Sequence, residues 1–116
     1  MGSEIERFYS SLLNAVGIHS VIIVQDSNIL KTNLDEEKAK KFIGFADEIL
    51  NRAEKSLGKI PELTGEINFV SIFLQNNIVI LIAAYEDYKL IVVAKGEETG
   101  TDEIKGIMEK ISELLK

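Results

Sequence analysis

Two stretches near the middle of the chain are apolar without alternation, Ile78-Val79-Ile80-Leu81-Ile82-Ala83-Ala84 and Leu90-Ile91-Val92-Val93-Ala94. A strand apolar on both faces has both faces out of water, so each stretch predicts a central strand covered from two sides. The link between them holds Glu86-Asp87, too short for a crossover, so the two strands must run antiparallel. Ahead of them the run Glu66 to Gln75, apolar from Ile67 to Leu74, predicts a third strand, and the polar break Gln75-Asn76-Asn77 predicts a hairpin into the next. Antiparallel strands buried in this way call for helices above and below one sheet.

The flanking regions supply those helices. Ser3 followed by Glu6 has the spacing of a capping box, and Ile5, Phe8, Tyr9, Leu12, Leu13 and Val16 recur at helical steps, with Gly17 closing the element. His19 to Gln25 predicts a buried strand, Asp26-Ser27-Asn28 a turn, and Ile29 to Thr32 a shorter return strand. Asn33 and Asp35 are both suitable caps for a second helix running to Leu57, with Gly58 and Pro61 ending it. Its stripe is Ala39, Phe42, Ile43, Ala46, Ile49, Leu50, Ala53 and Leu57, and Phe45 widens the apolar arc to roughly 160° at about 100° per residue. One sheet does not require so wide an arc: either Phe45 folds over the sheet edge or a helix from a partner subunit packs there. After the polar loop Gly96 to Gly100, Thr101 opens a last helix with Ile104, Ile107, Met108, Ile111, Leu114 and Leu115 on its buried face. The expected fold class is α+β: three helices and five strands, ordered α-β-β-α-β-β-β-α, in one domain spanning 1–116.

At 116 residues the chain can bury a core without disulfides or a metal, and 46% hydrophobic with 28% charged residues fits a globular protein. No apolar run approaches the roughly 20 residues of a membrane span, and no secretory series opens the sequence, so no membrane insertion and a cytoplasmic location are expected. The net charge of −6, with no Lys/Arg cluster interleaved with aromatics, argues against nucleic-acid binding. One His and no Cys disfavour a zinc site, and the acidic residues lack calcium-loop spacing, so neither metal nor other cofactor is expected. Ser10, Ser11 and Ser20 are not in a nucleophile-elbow setting beside His19, and Gly96 to Gly100 lacks the Lys-Ser/Thr of a phosphate-binding loop. No catalytic residues are expected. The third strand is different in kind: no Lys, Arg or Pro within Glu66–Gln75 blunts it, and at a sheet edge it would invite pairing with the same strand of another copy about a two-fold axis.

The order of elements resembles the Roadblock/dynein light-chain family, a relative of longin and profilin-like folds. The resemblance is carried by Asn14-Ala15-Val16-Gly17-Ile18 at the end of the opening helix and by His19 to Leu30 as the first hairpin. The long second helix, Leu57-Gly58 with Glu62-Leu63 before the third strand, and the closing amphipathic helix add to it. Asp26-Ser27-Asn28 stands where the family often has Asp-Gly, and the loop 96–101 is more acidic and richer in glycine than is usual there. The resemblance implies a three-layer α/β/α sandwich with sheet order 2-1-5-4-3, one helix on one face and two on the other. It also implies a homodimer formed through the third strand and second helix, which here means Phe69, Val70, Ser71, Ile72 and Phe73 with Phe42, Phe45, Ile49 and Ala53. Such dimers commonly act as platforms for Ras-like small GTPases, or as adaptor subunits in larger complexes, without being enzymes. A small-molecule-sensing module of profilin-like architecture is the competing expectation; it needs an internal pocket, which the bulky Ile, Leu and Phe set would instead fill.

Overall fold

The computed structural model describes residues 2–15 and 17–95, together with Gly106 and Glu109. Two helices and five strands follow in the order α1 (Gly2–Leu13), β1 (Ile18–Gln25), β2 (Asn28–Thr32), α2 (Glu36–Leu57), β3 (Phe69–Phe73), β4 (Ile78–Tyr85) and β5 (Tyr88–Lys95), with a 3-10 turn at Pro61–Leu63. The closing helix expected from Thr101 falls outside the described residues, except that Gly106 and Glu109 are helical. All strands pair antiparallel in one sheet of order β2-β1-β5-β4-β3, the order the resemblance implied.

Alternation along the strands sorts the core into two layers. Val21, Ile23, Val79, Leu81, Leu90 and Val92 meet Ile5 and Leu12 of α1 on one face. Ile22, Val24, Ile80, Ile82 and Ile91 meet Ala39, Ala46 and Leu50 of α2 on the other. Register aligns Ile22, Ile91, Ile82 and Val70 in one row across four strands, and Val21, Val92, Leu81 and Ser71 in the row behind it. Each fully buried aliphatic residue of these rows contributes about 1.5–3 kcal/mol, so β1, β5 and β4 anchor the domain.

The connections are built from local chemistry. Asp35 caps α2 by accepting from the Lys38 N–H at 2.8 Å. Asn33, the other candidate, ties strand to strand: its Nδ2 donates to the His19 carbonyl and its Oδ1 accepts from the Val21 N–H, both at 3.0 Å. α1 ends at Leu13, before Gly17, and Gly17 with φ 84° supplies the left-handed corner into β1. Its carbonyl accepts from the Lys95 N–H at 2.9 Å.

One expected element is shorter than its hydrophobicity suggests. The sequence predicts the third strand over Glu66–Gln75, but β3 holds five residues, Phe69–Phe73. At its start the Ile67 N–H donates to the Glu54 carboxylate of α2, and at its end Leu74 opens the turn, accepting from the Asn77 N–H. Ile67 thus serves the α2 core layer and Leu74 the turn.

Candidate functional site

β3 is the last strand of its sheet, so one row of its backbone groups faces outward. The Ala84 N–H donates to the Asn68 carbonyl and the Leu74 N–H to the Ile78 carbonyl. In an antiparallel ladder that phase repeats every second residue, so Val70 and Ile72 bond to β4 while the N–H and C=O groups of Phe69, Ser71 and Phe73 point away from the sheet. Among the described residues these groups take no backbone partner. The opposite edge, β2, is managed differently: it carries Lys31, ion-paired with Glu6 at 3.1 Å, and its pairing to β1 is interrupted by a bulge. Only one edge of the sheet is left smooth and uncharged.

The side chains of β3 divide between the two faces. Val70 and Ile72 are half-buried against the α2 layer, and Phe69 against the α1 layer. Ser71 and Phe73 lie on the same face as Phe69, and Phe73 is 67% exposed.

α2 contributes the second half of the surface. Phe42 and Ile43 pack with Ala39, Ala46 and Leu50 on the sheet, whereas Ile49 and Ala53, read from the sequence as core stripe, belong to neither core layer among the described residues. Phe45 remains 38% exposed instead of folding down over the sheet. At about 100° per residue Phe42, Phe45, Ile49 and Ala53 lie along one flank of α2, and Asp47 along another. Phe42 borders a cleft shared with Leu74 and Ile78 at the β3–β4 turn, while Asp47 pairs with Lys89 of β5. Of the nine residues named from the resemblance, Phe69, Val70, Ser71, Ile72 and Phe73 form the edge strand, and Phe42, Phe45, Ile49 and Ala53 share one flank of α2.

Elsewhere the chemistry is sparse. His19 Nδ1 and the Ser20 hydroxyl are hydrogen-bonded at 2.7 Å, but among the described residues no carboxylate reaches His19 to orient it, so no triad forms. No group of His, Asp and Glu among the described residues is arranged to hold a metal ion. No helix among them is long and apolar enough to cross a membrane. Lys89 is held below its ordinary pKa by burial, which outweighs the pairing with Asp47, a side chain itself 53% exposed. A cleft of about 410 Å³ opens to solvent between α2 and one end of the sheet, at the margin of the packed core layers.

No protein-family model and no curated protein matches the chain. Solved structures do. A Roadblock/LC7 domain from Streptomyces avermitilis superposes with a TM-score of 0.71 at 15% identity, covering 91% of this chain and 87% of that one. MglC from Myxococcus xanthus superposes with a TM-score of 0.56 at 16% identity, covering 96% of each chain. The likeness lies in the course of the backbone, and with the antiparallel sheet β2-β1-β5-β4-β3 between α1 and α2 it identifies the architecture: this chain has the α+β Roadblock fold.

Proposed function

We propose that the chain is a non-enzymatic homodimeric regulatory or scaffold protein that binds and modulates a Ras-like small GTPase. The observation that carries this reading is the β3 edge, where the outward backbone groups of Phe69, Ser71 and Phe73 have no backbone partner among the described residues while the β2 edge is blunted. Pairing of β3 with its copy about a two-fold axis extends the sheet across two protomers and sets the flank of Phe42, Phe45, Ile49 and Ala53 against its mate. One surface of this kind, self-complementary and apolar, is what an isologous dimer needs.

The Roadblock fold supports a GTPase as the partner through the role that such dimers commonly play, with the single domain 1–116 as the unit proposed to pair. Sparse chemistry among the described residues suits a protein that acts by holding a partner. The test is capture of GTP-loaded against GDP-loaded small GTPases of the same cell on the immobilised protein. Nucleotide-state-dependent retention supports the reading, and a dimer that retains neither form leaves the scaffold without this partner.

A further inference from the structure

Apart from Phe42, the dimer reading leaves the residues of the cleft between α2 and the sheet end unused. Its apolar floor includes Phe42 of α2, Ile78 and Ile80 of β4, and Val93 of β5. Basic groups line it too: Lys38 from the first turns of α2, Lys95 at the end of β5 and His19 at the start of β1. Among the described residues no Asp or Glu lines it, in a chain of net charge −6. Of the acidic residues at the start of α2, Asp35 accepts from the Lys38 N–H, Glu36 pairs with Lys40 at 3.2 Å, and Glu37 is exposed and does not line the cleft. Lys38 and Lys95 take part in no ion pair among the described residues. A volume of about 410 Å³ is in the range of small-molecule sites, which run from about 300 to 1,000 Å³.

An apolar floor with cations and no acids along its walls complements one chemical class, a molecule with an aliphatic body and a single anionic head. We propose that this cleft binds a long-chain aliphatic monocarboxylate, with the chain against Phe42, Ile78 and Ile80 and the carboxylate toward Lys38 and Lys95. A neutral apolar ligand would leave the cations without purpose, and a small anion would leave the floor wet. The proposal goes beyond the dimer and its partner: Phe42 is shared with the proposed dimer flank, but Ser20, Val93 and Ala94 of the cleft lie on β1 and β5, away from the β3 edge, so shifts at Ser20 and Ala94 read binding apart from self-association.

The experiment is titration of the full chain with dodecanoate, followed by calorimetry and by backbone amide shifts, beside acetate and dodecyltrimethylammonium. The expected result is saturable dodecanoate binding with shifts at Ser20, Phe42, Ile80 and Ala94, and no such response to acetate or to the cationic amphiphile. Lys38 and Lys95 are exposed, so Lys38→Glu with Lys95→Glu leaves the fold intact and is expected to weaken dodecanoate about tenfold through lost attraction and added repulsion. Absence of saturable binding, equal binding of dodecyltrimethylammonium, or an undiminished response in the double variant would each overturn the assignment.

Discussion

Ser71 is the position at which the proposed pairing can be broken without touching the fold. Its N–H and C=O point out of the sheet, because the ladder to β4 uses Asn68, Val70, Ile72 and Leu74. In an antiparallel pairing of β3 with its own copy, the outward residues meet as Ser71 with Ser71 and Phe69 with Phe73, placing Ser71 on the two-fold axis. Ser71→Pro removes that N–H and sets a ring where the partner strand must approach, whereas proline on an edge strand with its nitrogen facing solvent is tolerated. One hydrogen bond has a net worth of about 1 kcal/mol, and symmetry doubles the loss to about 2 kcal/mol, or roughly 30-fold in the dimer Kd. The stranded carbonyls and the ring clash add to this. Sedimentation equilibrium measures the Kd, and far-UV circular dichroism confirms the unchanged monomer. Ile72→Pro is the contrast, because the Ile72 N–H belongs to the β4 ladder; it should damage the sheet itself. A Ser71→Pro protein that dimerises as tightly as the parent would refute pairing through β3.

Four further outcomes are expected. Phe45→Asp should weaken self-association while leaving thermal stability of the monomer within about 0.5 kcal/mol, since Phe45 is 38% exposed and no core layer depends on it; a dilution series by light scattering reads the first and a melting curve the second. Asn33→Ala should cost about 1–3 kcal/mol in urea unfolding, because it leaves the Val21 N–H and the His19 carbonyl without their amide partner. Glu86, at φ 54° in the β4–β5 turn, sits in the left-handed region that asparagine adopts more readily, so Glu86→Asn should raise stability by about 0.5–1 kcal/mol in the same assay. Lys89 titrates below its ordinary value in the native state, so the unfolded chain binds the proton more tightly and stability should rise with pH from the native value up to about 10.5. Comparison of urea midpoints from about pH 8 to about pH 11 should show that component vanish in Lys89→Met.

The legible parts of the fold were those whose hydrophobicity has a single use. The two-sided runs at Ile78–Tyr85 and Tyr88–Lys95 had to be central strands, and the two-residue link Glu86-Asp87 fixed their antiparallel pairing. The strand order itself came from the resemblance, because periodicity shows which face of a strand is buried but not which strand lies beside it. Misreadings arose where an apolar residue had a tertiary use. Ile67 and Leu74 look like strand, yet a carboxylate from α2 and the hairpin turn claim them. On α2 the breadth of the apolar arc was visible, but the separation of Ile49 and Ala53 from the core depends on how the helix crosses the sheet. The role of Asn33 was invisible for a related reason: its partners lie 12 and 14 residues away in sequence. The cleft lies at the surface, where the hydrophobic pattern does not show how far neighbouring elements close over one another.

The edge left open at β3 is the centre of the account, and the solution mass tests it most directly. Light scattering over a concentration series should return twice the 12.9 kDa of the chain, with Ser71→Pro shifting the protein toward the single mass. A mass of 12.9 kDa at every concentration would contradict the pairing and, with it, the scaffold built upon it.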